Sequence, residues 1–363
     1  MSTVLSITTD RKRGGIAAAL ASYSAALRMR GHHHIVVLPS AAVARASLSS
    51  LPGVTLVPMP PSMIRFHLLT SGIFNSSFRA AMQSADVLFI HNASLANLSR
   101  WSGKPVCLIS HSGKLRYLGA ADHAIFLSKA AAARAQDLAD TGRTGTTELH
   151  VIPHGFPAYD IVPSPDSAGD QLRIMAAGRF VPKKGFETLL EAAHILRDHT
   201  PSMHFDIYGD GPLKPVLTTM IDQLDLDNVS LHGWTPALDQ AFAAADIFCL
   251  PSLEEPFGLV IGEAMGRGIP MVATCTDGPL DVLGFDGIQR DQTLPAGGLL
   301  TEPGDADSLA KALASLSDSR GMLASTGEAA RRRIVADFGM EALADRLDRL
   351  ISMASQPQPA APW

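Results

Sequence analysis

Cysteine is scarce. Cys107, Cys249 and Cys275 are the only three in 363 residues, far apart and each in or beside an apolar run. That argues against a disulfide framework or a cysteine-built metal cluster, and it fits a reduced, cytosolic setting. Long hydrophobic runs are missing too. No stretch reaches the roughly eighteen apolar residues a spanning helix needs. A secretory leader is not expected, because the apolar segment Val4 to Ile7 precedes the basic cluster Arg11-Lys12-Arg13, the reverse of the secretory order. Charged residues are few at 18%, aromatics fewer at 6%, while apolar residues reach 46%. Such a chain buries a core and is not disordered. At 363 residues it exceeds one core of usual size, so two domains are expected.

The net charge of -5 conceals an asymmetry. Residues 1–155 carry fifteen Lys/Arg and six Asp/Glu, a net +9, whereas 156–363 carry fifteen and twenty-nine, a net -14. A basic half joined to an acidic half points to domains with different partners. Phosphates, an anionic membrane face or nucleic acid all suit the basic half, and drift in surface composition is the plainer explanation.

Short apolar runs alternate with helical patterns along both halves. Strands are expected at Val4–Ile7, His34–Leu38, Val54–Val57, Asp86–Ile90, Val106–Ile109, Ala124–Leu127 and His150–Ile152, and again at Arg173–Ala177, His204–Tyr208, Val229–Leu231, Ile247–Leu250, Met271–Thr274 and Gly298–Leu300. Helices are expected at Gly15–Arg30, Gly185–His199, Leu213–Leu224, Thr235–Ala245, Gly258–Arg267, Ala306–Ser317, Gly321–Asp337 and Glu341–Met353. Repeated strand–helix–strand units imply α/β architecture, with parallel sheets covered on both faces. The aperiodic stretch Pro157–Gly169, rich in Pro, Ser, Asp and Gly, marks a boundary. The expected division is a first domain over 1–157, a linker over 158–169 and a second domain over 170–335. A helix over 336–354 is expected to pack back on the first domain, followed by a flexible tail over 355–363.

In doubly wound sheets ligands bind outside the carboxyl ends of the strands. After Arg173–Ala177 comes GRFVPKKGFETLLEAA, where Arg179 and Lys184 lie within reach of one diphosphate. After His204–Tyr208 comes GDGP, where Gly209 permits a sharp turn and close backbone approach. After Ile247–Leu250 comes PSLEEPFGLVIGEAM. Pro256, Phe257 and Gly258 place backbone N–H groups at a helix start, and Glu255 and Glu263 add carboxylates able to accept pairs of sugar hydroxyls. Acidic residues at a helix start also favour the helix dipole, so each piece alone has a structural explanation. Their recurrence after successive strands carries the reading of a nucleotide-sugar pocket.

These segments, together with LHGWT (Leu231–Thr235) and GGLLTEPGDADSLAKAL (Gly297–Leu313), resemble retaining glycosyltransferases of the GT-B fold, similar to glycosyltransferase family 4. The resemblance covers roughly Gly178–Leu313, and its most specific element is the glutamate pair separated by seven residues. It implies two Rossmann-like domains facing a central cleft. It implies that Arg179 and Lys184 hold the donor pyrophosphate, that Glu255 contacts the donor sugar near the N–H groups of Phe257, Gly258 and Leu259, and that Glu263 binds the ribose. In the first half, GGIAAALASYSAALRMRGHHHIVVL (Gly14–Leu38) resembles the family's glycine-rich loop, helix and second strand, so Gly14 and Gly15 are expected to face the donor phosphates. VIPHGF (Val151–Phe156) resembles the end of the family's first domain. CLISHSGK (Cys107–Lys114) resembles the strand end where the family carries a histidine near the donor sugar, a role that falls to His111. Attack on the same face as the leaving phosphate is implied, with His111 orienting the sugar through a hydroxyl.

With Arg179, Lys184 and the helix tip supplying positive charge, neither metal nor cofactor is expected. Two Asp-x-Asp triplets, Asp225-Leu226-Asp227 and Asp305-Ala306-Asp307, read as structural, the second as a helix cap. Expected partners are a nucleotide diphospho-sugar donor and a glycan or lipid-linked acceptor, without nucleic acid. The segment Pro61–Ala80 mixes Ile64, Phe66, Leu68, Leu69, Ile73 and Phe74 with Arg65, His67 and Arg79, suiting a cytoplasmic protein peripheral on an anionic membrane face or a partly buried connecting helix equally. His32-His33-His34 open a strand and read as surface residues. Other readings are an epimerase sharing the donor pocket, a non-catalytic sugar-binding protein, and a dinucleotide oxidoreductase. The last wants G-x-G-x-x-G after the first strand, and Arg13-Gly14-Gly15-Ile16-Ala17 lacks it.

Overall fold

The computed structural model describes residues 1–11, 15–70, 75–99, 102–111, 115, 117–140, 147–160, 171–198, 202–284, 297–317 and 320–356. Gly14, Lys12 and Arg13, most of the expected linker (161–169), part of Pro61–Ala80 (71–74), residues 112–114 after His111, and most of the tail (357–363) lie outside them.

The chain forms two compact units. One comprises Met1–Gly155 and Gly339–Trp363, the other Phe156–Phe338. The first holds strands β1 (Thr3–Ile7), β2 (His33–Pro39), β3 (Val54–Met59), β4 (Val87–Ile90), β5 (Val106–Ser110), β6 (His123–Phe126) and β7 (Glu148–Val151) in the order β3-β2-β1-β4-β5-β6-β7. The second holds β8 (Gln171–Ala177), β9 (Ser202–Tyr208), β10 (Val229–Gly233), β11 (Ile247–Leu250), β12 (Met271–Thr274) and β13 (Gly298–Thr301) in the order β10-β9-β8-β11-β12-β13. All pairings within each sheet are parallel. Every expected strand is present, and the reason is physical. A parallel strand covered on both faces reads as an unbroken apolar run, as in Val87–Ile90 or Met271–Thr274, where all four residues are buried.

In the first unit one sheet face carries Leu5, Ile7, Val37, Leu88, Ile90 and Phe126, packed with Ile64, Leu68 and Phe78. The opposite face carries Val4, Phe89, Cys107, Ile109 and Ile125 beneath helices Gly15–Met29 and Met340–Ala354, which contribute Tyr23, Leu27, Leu343, Leu347, Leu350 and Ile351. The last helix is amphipathic at period 3.6, and burying four large aliphatic side chains contributes roughly 1.5–3 kcal/mol each. In the second unit Leu172, Ile174, Phe205, Ile207 and Cys249 pack with Phe186, Leu189, Leu190 and Leu309. The chain enters and leaves that unit side by side, where Phe156 N–H donates to the carbonyl of Phe338, the last residue of helix Arg320–Phe338 (2.8 Å).

His32-His33-His34 do not form a surface patch. His32 and His34 are buried, His34 almost completely, and only His33 stays partly exposed. The cause is β2's position inside a sheet covered on both faces, so that alternate side chains point into packed layers. His32 Nε2 lies 2.8 Å from Asp348 and His34 is hydrogen-bonded at both ring nitrogens. Pro61–Ala80 forms parts of two helices, Pro61–Leu69 and Ser76–Ser84, whose Ile64, His67, Leu68 and Phe78 are buried while Phe66 and Leu69 stay exposed. Of the two Asp-x-Asp triplets, Asp305 accepts from Ser308 N–H (2.9 Å) and caps helix Ala306–Ser317, and Asp225 sits at φ 52° in the turn after helix Lys214–Gln223.

Candidate functional site

At the carboxyl end of β8 the chain turns through Gly178-Arg179-Phe180 and a short 3-10 turn, Pro182–Lys184, before helix Phe186–Ile195. At the carboxyl end of the neighbouring β11 it runs through Pro251–Gly258 into helix Leu259–Gly266. Because β8 and β11 are adjacent, these loops meet. Lys183 carbonyl accepts from the N–H groups of Leu253 (2.8 Å) and Glu254 (3.1 Å). Lys184 Nζ forms an ion pair with Glu255 Oε2, to which the buried Ser252 hydroxyl also donates (3.3 Å). Glu255 is buried, Lys184 mostly so, and Thr274 Oγ1 fixes the Ser252 carbonyl. Lys184 and Glu255, expected to make separate contacts with the donor, are thus joined to each other. A buried carboxylate without a cation would be costly, and Lys184 removes that cost.

Gly185 makes this meeting possible. It adopts φ 62°, and a Cβ there would overlap the carbonyl oxygen of Pro251. Gly185→Ala is therefore expected to lower stability by at least about 1–3 kcal/mol, from backbone strain alone, and to push the Lys184 turn off β11. A chemical-denaturation midpoint equal to that of the parent would refute it.

Gly258 caps helix Leu259–Gly266 with φ 82°. The N–H groups of Gly258, Leu259 and Val260 make no hydrogen bond among the described residues, so the helix start presents free donors beside Glu255. Phe257 is buried against Phe156, rings nearly parallel with centroids 6.1 Å apart, and anchors the turn. One turn into the helix, burial raises the carboxyl pKa of Glu263 above its ordinary value, opposed by Arg267 and reinforced by Asp239. Arg267 donates to the Glu263 carbonyl (2.8 Å), pairs with Asp239, and stacks its guanidinium 4.0 Å from the Tyr159 ring centroid. Arg179 is exposed, and its guanidinium has no ion pair among the described residues. Gly209 follows β9 as expected, but what lies against it is its own protein: a Cβ would overlap the Gly178 carbonyl oxygen. Sequence reasoning missed Ser252, Arg267 and Thr274. Arg267 carried a signal, standing four residues from Glu263 on one helix face.

In the first unit Gly15 opens helix Gly15–Met29 in open space. His111 follows β5 directly. Its Nε2 lies 3.0 Å from His91 Nδ1, its ring is nearly parallel to that of His154 (centroids 6.0 Å), and burial pulls its pKa down to about 4. His34 and His154 fall to about 3 and His91 well below the ordinary value, each chiefly through burial. All are neutral near pH 7. A separate group, His123, Glu148 and His150, lies at the starts of β6 and β7, the opposite end of the sheet from His111. Its shorter separations, 3.1 Å between the ring nitrogens and 3.3 Å from His123 to Glu148, are hydrogen-bond and ion-pair lengths that account for it without an ion.

Residues 160–333, within the second unit, match the family model described as Glycosyl transferases group 1. Among curated proteins the chain is similar to the lipopolysaccharide core biosynthesis glycosyltransferase LpsE of Rhizobium meliloti, 31% identical over 193 residues, 53% of this chain and 52% of that one. It is also similar to the amylovoran biosynthesis glycosyltransferase AmsK of Erwinia amylovora, 31% identical over 198 residues, 51% and 46% of the two chains. The chain thus spans about half the length of these relatives in what it matches. Among solved structures it resembles Anabaena Alr3699/HepE in complex with UDP and glucose, with TM-score 0.77 and 20% identity over 97% of this chain and 100% of that one. It likewise resembles a glycosyltransferase from Rickettsia africae ESF-5, TM-score 0.78, 16% identity, 98% and 99% covered. The fold is GT-B, two Rossmann-like parallel-sheet domains.

Proposed function

We propose that the chain is a retaining glycosyltransferase of family 4 type that moves a sugar from a nucleotide diphospho-sugar to a glycan, lipid-linked or lipopolysaccharide-type acceptor. The observation that carries this reading is the joined Lys184–Glu255 pair beside the free N–H groups at Gly258 and Leu259. One spot presents a cation and helix-tip donors for a diphosphate and a carboxylate for sugar hydroxyls. Arg179, exposed beside Lys184, adds bidentate phosphate contacts. Glu263 holds the ribose, with Arg267 setting its helix-face surroundings. His111 accepts a hydrogen bond from a sugar hydroxyl. As the leaving diphosphate takes on charge, Lys184, Arg179 and the helix tip stabilise it, and no metal is needed in this scheme. The relatives named for lipopolysaccharide core and amylovoran biosynthesis, and the structural neighbour in complex with UDP and glucose, support the donor and acceptor classes.

A thermal-shift screen of nucleotide diphospho-sugars tests the reading. Selective stabilisation by one donor at ligand concentrations near 100-fold above Kd corresponds to about 2.7 kcal/mol. Equal response to all donors, or to none, refutes it. A pH dependence follows from Glu263. Its raised pKa means that protonation begins at higher pH than for an exposed glutamate, and the protonated acid loses acceptor capacity toward the ribose hydroxyls. Donor affinity should therefore weaken on acidification above the usual glutamate range, and calorimetric titration at several pH values should show Glu263→Gln lacking that step.

Transfer to an acceptor at an anionic membrane face remains part of the proposal. The exposed Phe66 and Leu69 beside Arg65 supply apolar and basic contacts of the kind such a surface needs. No helix among the described residues is long and apolar enough to cross a membrane. Cosedimentation with anionic vesicles, reduced in Phe66→Ser/Leu69→Ser, checks this part separately.

A further inference from the structure

One buried chain of hydrogen bonds runs through the first unit to His111. Ser24 Oγ lies 2.8 Å from the Leu20 carbonyl oxygen and 2.7 Å from His34 Nδ1. His34 Nε2 lies 2.8 Å from Ser6 Oγ, Ser6 Oγ lies 3.2 Å from His91 Nε2, and His91 Nδ1 lies 3.0 Å from His111 Nε2. The His91 and His111 rings are inclined by only 16° with centroids 5.3 Å apart, so they meet edge to edge through these nitrogens. His111 Nδ1 is shut off from water and has no partner among the described residues.

Proton counting fixes the direction of every link. A carbonyl only accepts, so the single hydroxyl proton of Ser24 goes to Leu20 and Ser24 must accept from His34 Nδ1–H. A neutral imidazole carries one N–H, so His34 Nε2 is bare and takes the Ser6 hydroxyl proton. Ser6 then accepts from His91 Nε2–H, which leaves His91 Nδ1 bare to accept from His111 Nε2–H. The reverse order places the Ser24 proton on His34 and leaves two oxygen acceptors 2.8 Å apart at Leu20, without a proton between them. We propose that Leu20, Ser24, His34, Ser6 and His91 act as a positioning relay that locks His111 as its Nε2–H tautomer, so that Nδ1 is an acceptor reserved for a hydroxyl of the bound ligand. The identity of that ligand as a sugar rests on the function proposed above, whereas the tautomer rests on the relay alone. Leaving a buried acceptor unmatched costs about 1–3 kcal/mol, which a hydroxyl donor removes and a second acceptor does not. The relay thereby makes His111 selective for the protonated oxygen of its ligand.

The test is nitrogen-15 NMR of the full-length protein labelled at histidine, with His111 assigned by the signals missing in His111→Gln. In the parent, His111 should read as unprotonated at Nδ1 and protonated at Nε2. Ser24→Ala removes the anchor and frees His34 to donate to Ser6, so the His111 signal should shift toward the Nδ1–H form. Ser24→Thr keeps a hydroxyl over the Leu20 carbonyl and should restore the parent spectrum. An Nδ1–H reading in the parent, or a His111 signal unmoved in a folded Ser24→Ala variant, overturns the relay. If Ser24→Ala does not fold, the parent spectrum decides. Should the tautomer be as stated while His111→Ala transfers sugar at the parental rate, the relay stands and the proposed role of His111 falls.

Discussion

Glu255→Gln is expected to reduce sugar transfer by on the order of 100-fold or more while leaving the fold intact. Glutamine keeps the shape of the side chain and still offers a carbonyl oxygen to Lys184 and Ser252, the two groups that face Glu255 Oε2. What it loses is the negative charge and one strong acceptor at the sugar. A 100-fold loss corresponds to about 2.7 kcal/mol of transition-state stabilisation, the scale on which one preorganised polar group usually acts. Lys184→Met should behave differently. It leaves Glu255 buried without its cation, a situation that costs about 3–5 kcal/mol when one partner of a buried pair is removed. That variant should be both inactive and less stable, and the double variant Lys184→Met/Glu255→Gln should recover stability but no transfer. Melting temperatures with initial rates for the three proteins separate these contributions. Turnover unchanged in Glu255→Gln would remove that carboxylate from the reaction.

Acid should unfold the first unit abruptly, well above the pH at which carboxylates protonate. His34, His91 and His154 are buried and His111 largely shielded, and all four bind protons far less readily than in an unfolded chain, with pKa values near 3 for His34 and His154 and near 4 for His111. The sign is fixed by linkage. Below about pH 6.5 the unfolded chain takes up protons that the folded one refuses, so stability is full above that pH and falls on acidification toward the folded values. Each histidine contributes a slope of up to about 1.4 kcal/mol per pH unit. Four together approach about 5 kcal/mol per unit, comparable with the whole net stability of a domain. Denaturation midpoints should therefore drop steeply between about pH 6 and 5. Every histidine with a resolved lowered pKa lies in the first unit, so its signals should be lost first. A midpoint constant from pH 7 to 5 would refute the desolvation of this cluster.

Strands were legible because burial on both faces writes itself as apolar runs. Several helices were not. Ala44–Ser49, Lys129–Asp140 and Asp277–Leu283 are short or alanine-rich, and their burial comes from neighbours that local periodicity does not reveal. The individual site residues after β8 and β11 were legible because ligand groups follow strand ends. Their union was not. Lys184 and Glu255 are 71 positions apart, and only the strand order, which sets β8 beside β11, brings them together. His34 shows the same limit from the other side. Three consecutive histidines at a strand entry look solvent-facing until β1 is found between β2 and β4, placing Ser6 between His34 and His91.

The nesting of one unit within the other sets the order in which the cell can finish them. The ribosome completes the interior of the second unit once residue 338 has emerged, whereas Val4, Tyr23 and Leu27 must wait for Leu343, Leu347 and Leu350. At about 5–20 residues per second the 156–338 stretch takes roughly 10–40 s to translate. For that interval the earlier-made half carries an uncovered apolar face, making the nascent chain a natural client for chaperones until its closing helix arrives.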